Sequence, residues 1–199
     1  MNILLKEYPA LTTAHKLLKE LDSSVIAGGL PRDLLTGKEY TDIDIFVPVL
    51  SKPHLVELTI KATRFASEHN LTIDVADYYA YGLDVVRVRL GENIDLCFMS
   101  GDTSKRAEKE APTNLFSHFD FVCCQAWMER TEDGFIAHAT ELFKNLNERK
   151  VLGFYPHKGE LDSNHAIKVL AKYSDYLLVE LARPQQAFKV SSNSEDLPF

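Results

Sequence analysis

Residues 25–47 restrict the fold more than any other part of this chain. Val25-Ile26-Ala27 reads as a strand, Gly28-Gly29 as a turn, and the next residues as a short helix opened by Pro31; a second strand then carries Asp42 and Asp44. Side chains alternate faces along a strand, so the two aspartates share one side while Ile43 and Ile45 point into the core. Two carboxylates held side by side repel each other unless a cation joins them. Their hard oxygens suit Mg²⁺, which takes one or two carboxylates and fills its shell with water and substrate phosphate. Bare backbone at Gly28 and Gly29 allows close approach to a phosphate, and the N–H groups at the start of the following helix favour an anion. Arg32, in the first turn, is placed for a charge-assisted contact to a phosphate oxygen.

In this order, Gly28-Gly29, Arg32-Asp33 and Asp42-Ile43-Asp44 resemble the Gly-Gly, Arg-Asp and Asp-x-Asp signature of nucleotidyltransferases of the DNA polymerase β superfamily. Within it, the likeness is to the CCA-adding enzyme and poly(A) polymerase branch, in the compact form found in bacteriophage genomes. The plain alternative makes the glycines an ordinary turn and the aspartates a solvated strand face. The resemblance covers about residues 25–173. It implies an α/β fold of the α+β kind, a small mixed β-sheet flanked by helices, with a short helical neck-like segment after it.

A chain of 199 residues suffices for one sizeable domain with a helical annex. The expected division is a core over 1–155, a neck-like segment over 156–183 and a polar tail over 184–199. No apolar run approaches a membrane span and the start lacks a signal-peptide pattern, so a cytoplasmic protein is expected. The three cysteines, two of them adjacent at Cys123-Cys124, make neither a disulfide framework nor a zinc site and read as core thiols. A formal net charge of −7 argues against a broadly basic surface that coats nucleic acid, although a local basic groove stays open.

Elsewhere the pattern predicts a helix over 12–21 with Leu17, Leu18 and Leu21 inward, capped by Thr12 or Thr13. Pro48 is expected to end the second strand. Ser51 is a candidate cap for a helix that runs to about His69, with Leu55, Leu58, Ala62, Phe65 and Ala66 as its core stripe. Residues 71–75 and 83–90 read as strands, the latter alternating Val86, Val88 and Leu90 against Arg87 and Arg89. A turn at 91–93 leads into a hairpin partner over 94–99. Asp95 stands in this otherwise apolar strand, where an unpaired charge is costly. It either marks a strand start beside the turn or, as the resemblance implies, supplies the third carboxylate of the set.

Residues 101–112 read as a polar loop or short helix, normally a solvated face, whose Lys105, Arg106 and Lys109 would matter near a triphosphate. Residues 119–127 are a strand candidate, followed by a turn at 131–134, a return strand through Phe135 and Ile136, and a helix over 139–148. Asp120 and Phe121 match the Arg-Asp-Phe-Thr-Ile-Asn-Ala motif of CCA-adding enzymes. Phe119 replaces its Arg and Cys124 its Asn, leaving His118 and Gln125 as nearby polar substitutes. A last helix is expected over 163–182, with Ala166, Val169, Leu170, Tyr173, Leu177 and Leu181 buried. The segment Leu161-Asp162-Ser163-Asn164-His165 keeps the Asp of a Glu-Asp-x-x-Arg motif and puts His where the Arg stands. The planar bidentate donor is lost, so CTP and ATP selection does not carry over, and Asp162 has helix capping as its alternative.

The resemblance thus implies a two-metal nucleotidyltransferase using Mg²⁺ or Mn²⁺ and an NTP. Asp42, Asp44 and Asp95 are its expected catalytic and metal residues, and Gly28, Gly29, Arg32, Asp120, Asp162 and His165 its nucleotide contacts. Asp95 would also receive the acceptor proton, and Asp33 is expected to be structural. Three functions follow. Addition to an RNA 3′ hydroxyl predicts a basic groove beside the carboxylates. Transfer to a protein or small-molecule hydroxyl predicts a narrower, neutral cleft. A non-catalytic nucleotide- or partner-binding descendant predicts carboxylates too spread to share a metal.

Overall fold

Eight short, mostly apolar segments build a mixed sheet in the computed structural model, which describes residues 1–21, 23–80, 83–100, 113–156 and 163–182. Its strands are β1 (Asn2–Leu4), β2 (Val25–Ala27), β3 (Ile43–Val49), β4 (Ile73–Ala80), β5 (Leu83–Leu90), β6 (Ile94–Ser100), β7 (Ala126–Arg130) and β8 (Gly134–Ala139), in the order β1-β8-β7-β2-β3-β6-β5-β4. Central β3 pairs antiparallel with β2 and parallel with β6, while β5 pairs antiparallel with both β6 and β4. The expected mixed sheet with flanking helices is therefore present, and wider than expected.

The sheet divides the core in two. One face packs Ile26, Ile43, Ile45 and Leu96 against α1 (Thr12–Glu20) and α3 (Lys52–Glu68), through Leu17, Leu58 and Phe65. On the other, Ala27, Phe46, Cys97 and Trp127 meet α4 (Thr113–Phe116), the segment 119–124, α5 (Glu141–Glu148) and α6 (Ser163–Lys172). Alternation along β3 thus sends Ile43 and Ile45 to the first core and Phe46 to the second, with Asp44 on the same face as Phe46. Helix α2 (Gly29–Leu35) follows β2 directly. Among the described residues no helix is long and apolar enough to cross a membrane.

Helix α3 begins as its sequence implies: the Ser51 side chain accepts from the His54 N–H at 3.3 Å and Pro53 sits in the first turn, a cap that contributes about 1 kcal/mol. Helix α1 differs, because a single 3₁₀ turn over Pro9–Leu11 runs into it and neither Thr12 nor Thr13 caps it. Pro48 does not end β3; it lies opposite Met99. Pairing with β2 stops at Phe46, so the missing N–H of Pro48 removes no ladder bond on that side.

The stretch 119–127 is not one strand. Phe121 makes a single bridge to Phe154, Val122–Cys124 forms a 3₁₀ turn, and only then does β7 begin. The final helix is also shorter than its apolar spacing suggested. It stops at Lys172, and β10 (Leu177–Glu180) pairs in parallel with β9 (Val151–Phe154), leaving Leu177 66 % exposed instead of buried. Cys97, Cys123 and Cys124 are buried free thiols, as expected. The expected polar tail over 184–199 and the expected polar loop or short helix over 101–112 lie outside the described residues.

Candidate active site

Register brings the acidic residues together. Asp44 on β3 lies beside Asp95 on β6, and Asp95 in turn lies opposite Arg89 on β5. Neighbours in register share a sheet face, so Asp44, Asp95 and Arg89 point the same way. Asp42 precedes β3 and reaches that face as well, where Thr41 Oγ1 donates to its Oδ2 at 3.1 Å. All three aspartates line one cleft of ≈ 700 Å³, together with Gly28, Gly29, Arg32 and Asp120. That volume is typical of a small-molecule site.

The glycine bend closes the opposite wall. Gly28 adopts φ 84° and ψ −120°, a conformation that L side chains rarely reach. Its N–H donates to the Ala126 carbonyl at 2.9 Å, which ties the bend to the start of β7. The ring of Phe119 lies 3.9 Å from where a Gly28 Cβ would stand, and it packs in turn on Phe46 and Phe116. Phe119, standing where the resemblance has Arg, is thus an apolar floor beneath the bend.

Arg32 is almost fully buried behind the glycines. Its Nε donates to Asp33 Oδ1 at 2.7 Å, its Nη1 reaches Cys124 Sγ at 3.5 Å, and its guanidinium lies over the Tyr173 ring at 5.8 Å. Its Nη2 stands 3.7 Å from the position of a Gly29 Cβ, at the edge of the bend. Asp33, 1 % exposed, also accepts from Lys172 Nζ at 2.5 Å and thereby fastens α6 to α2. Lys172 donates further to the Glu39 carbonyl. Two cations on one buried carboxylate hold the Arg32 side chain in place.

Asp95 is 5 % exposed and its oxygens are engaged. Oδ1 accepts from Arg87 Nε at 2.9 Å and Arg89 Nε at 2.8 Å, and Oδ2 accepts from Arg89 Nη2 at 2.6 Å. Burial alone would raise its pKa, but the hydrogen bonds from Arg89 and Arg87 outweigh it and hold the carboxyl below the ordinary carboxylate range. Arg89 Nη2 also lies 3.3 Å from Asp42 Oδ1. A guanidinium therefore stands between Asp42 and Asp95.

That arrangement bears on metal binding. Among the described residues no group of three or more His, Cys, Asp and Glu side chains is gathered to hold one ion. Asp42 and Asp44, hard oxygen donors on one face of the cleft, fit the one or two carboxylates that Mg²⁺ or Mn²⁺ takes from protein. Asp95 does not fit as a third ligand while two guanidiniums occupy its oxygens.

Two sequence-predicted contacts, Asp162 and the side chain of His165, lie outside the described residues. Gln125 turns away from the cleft and accepts from Thr140 Oγ1 at 3.1 Å; His118 is not among the lining residues either. Sequence reasoning missed Arg87, Arg89, Lys168 and Lys172 as cleft residues. The only signal was two arginines spaced by two on the polar side of a strand, which by itself marks a solvated face.

No family model matches the sequence, and no curated protein matches it. Solved structures share its fold. A CCA-adding enzyme in an apo form superposes with a TM-score of 0.55 at 17 % identity, covering 89 % of this chain and 41 % of that one. The Thermotoga maritima CCA-adding enzyme complexed with tRNA gives 0.55 at 18 % identity, covering 86 % and 40 %. A CCA-adding enzyme complexed with CTP gives 0.52 at 18 %, with the same coverage. This chain thus spans about two-fifths of the length of the structures it matches. At such identities the likeness establishes a common fold.

Proposed function

We propose that this chain is a metal-dependent nucleotidyltransferase that moves a nucleotide from an NTP to a hydroxyl acceptor, with an RNA 3′ end as that acceptor. One observation carries the reading: Asp42 and Asp44 line the same cleft as the Gly28-Gly29 bend, on the fold of CCA-adding enzymes. The bend's backbone and the Arg32 guanidinium would hold the triphosphate, with Asp33 and Lys172 fixing Arg32. Asp42 and Asp44 would hold Mg²⁺ or Mn²⁺, which supplies charge neutralisation at the phosphates and lowers the pKa of the acceptor hydroxyl. Asp120 is the proposed further nucleotide contact in the cleft, and Asp162 and His165 the proposed contacts on the neck-like segment over 156–183. Asp95 is a poor proton acceptor here, because arginine hydrogen bonds stabilise its ionised form.

The test is transfer of labelled nucleotide from each NTP to short oligoribonucleotides in Mg²⁺ or Mn²⁺. Wild type transfers, and Asp42→Ala and Asp44→Ala each lose at least about 10²-fold in rate, the scale of removing one preorganised charge stabiliser. Full transfer by folded variants would remove the assignment. A second reading, transfer to a small-molecule or protein hydroxyl, is favoured by the charge balance of the cleft. Its lining carries Asp33, Asp42, Asp44, Asp95 and Asp120 against Arg32, Arg87, Arg89, Lys168 and Lys172, with no net basic character. The same assay with non-RNA hydroxyl acceptors separates the two.

A further inference from the structure

The disagreement at Asp95 points to a different role for that carboxylate. An aspartate that ligates a metal must turn a lone pair toward the ion. Asp95 instead receives the Nε and Nη2 fork of Arg89 and the Nε of Arg87, at 2.6 to 2.9 Å. A metal ion against the buried Asp95 carboxylate would be a third cation there, facing two guanidiniums at close range with like-charge repulsion. The arginines, by contrast, are incompletely used. Arg87 spends only Nε, and Arg89 only Nε and Nη2, on described residues. The Nη1 and Nη2 groups of Arg87 and Nη1 of Arg89 make no hydrogen bond to any described residue. Both side chains are about one-third exposed and line the cleft with Gly28 and Asp44.

We infer that Asp95 is a positioning carboxylate, and that Arg87 and Arg89, held by it side by side on β5, form a clamp for a phosphate group of the bound substrate. Planar guanidiniums with unspent N–H pairs suit phosphate oxygens, and anchoring their inner edges on Asp95 fixes their direction before substrate arrives. The metal is then left to Asp42 and Asp44. The inference rests on the nucleotide-handling reading of the cleft. The phosphate belongs either to the triphosphate or to the acceptor backbone, and the two sources share one chemistry.

The experiment uses the full chain and two readouts. Mn²⁺ affinity is measured for wild type, Asp44→Asn and Asp95→Asn. Affinities for inorganic triphosphate and for a short oligoribonucleotide without terminal phosphates are measured in chelator for wild type, Arg87→Gln, Arg89→Lys, Asp95→Asn and the Arg87→Gln/Asp95→Asn double variant. Asp44→Asn is expected to weaken Mn²⁺ by at least tenfold and Asp95→Asn by less than threefold. Arg87→Gln, which leaves the Arg89 fork on Asp95 intact and so spares the fold, is expected to weaken one phosphate probe at least fivefold; the probe affected identifies the source. The double variant should lose less than the product of the single losses, because Asp95 acts through the arginines. If Asp95→Asn weakens Mn²⁺ as much as Asp44→Asn, or if Arg87→Gln and Arg89→Lys leave both phosphate probes unchanged, the clamp is overturned while the nucleotide-handling reading stands. If wild type holds neither Mn²⁺ nor either phosphate probe, that reading falls and the clamp falls with it.

Discussion

At the scale of single residues, the two glycines of the bend make opposite demands. Gly28 sits at φ 84°, and the nearest neighbour a Cβ there would meet, Phe119, is 3.9 Å away, so space is available and the backbone alone forbids a side chain. Gly28→Ala should cost about 1–3 kcal/mol, lowering Tm by about 3–9 °C in a chain of this size. Gly29 is the first residue of α2, without a positive φ, and its added Cβ meets Arg32 Nη2 at an ordinary 3.7 Å. Gly29→Ala should leave Tm unchanged or slightly raised, since alanine is the better helix former, and thermal melts of the pair decide between strain and crowding. Asp95 gives a pH dependence whose sign is set by its arginines. Its folded pKa is held below the ordinary value of 3.8, so its contribution to stability is present above that value and is lost as pH falls through the folded pKa. Urea unfolding between pH 2 and 6 should therefore show a shallower acid loss for Asp95→Asn than for wild type; parallel curves would mean that the ion pairs contribute nothing.

At the scale of elements, β1 depends on the absence of a side chain across the ladder. A Cβ at Gly134 would stand 2.0 Å from the Ile3 carbonyl oxygen, which is backbone and cannot rotate away. β1 is an edge strand of three residues paired only to β8, and Ile3 is fully buried behind it. Gly134→Ala should detach β1 at a cost of about 2–4 kcal/mol, comparable to emptying a core position, and amide exchange over 2–4 should quicken; unchanged protection there would refute it. β1 also marks where sequence reasoning runs out. Three residues carry no readable period, and its partner lies 130 or more residues away. Local rules did reveal α3, with its serine cap, and the β5–β6 hairpin, because both close on near neighbours. They also placed Asp42, Asp44, Gly28 and Gly29, whose strand–turn–helix unit is contiguous. The break at 121–124 and the stop of α6 at Lys172 were hidden in unbroken apolar spacing, since only the pairing of β9 with β10 and the bridge from Phe121 to Phe154 decide them. Arg87 and Arg89 gain their meaning once the hairpin sets them on Asp95 and the parallel pairing of β6 with β3 brings Asp44 alongside; that second pairing joins residues about 50 apart, which no window of sequence displays.

At the scale of the whole molecule, charge sets a limit on how this chain can hold RNA. The chain carries a formal −7, so the long-range field repels a polyanion and affinity would have to come from local cations, which among the described residues are those of the cleft. Of those, Arg32 and Lys172 are committed to Asp33, and Arg87 and Arg89 to Asp95, which leaves each with only part of its donor capacity for phosphate. With Lys168 added, an oligoribonucleotide would be neutralised at about three phosphates at most. For single strands, log K falls with log salt at about −0.7 per contact, so the slope should be near −2 and the affinity should drop only about 20-fold between 50 and 200 mM salt. A protein with six to ten phosphate contacts on a single strand would lose about 10^2.5–10^4 over the same range. Titrating a labelled oligoribonucleotide at four salt concentrations measures the slope directly. A slope steeper than −4 would require a basic surface beyond the described cleft and would favour a long RNA track. A slope near −2 that becomes shallower in Arg87→Gln would put one of the few phosphate contacts at the arginine pair, beside the carboxylates proposed to hold the metal.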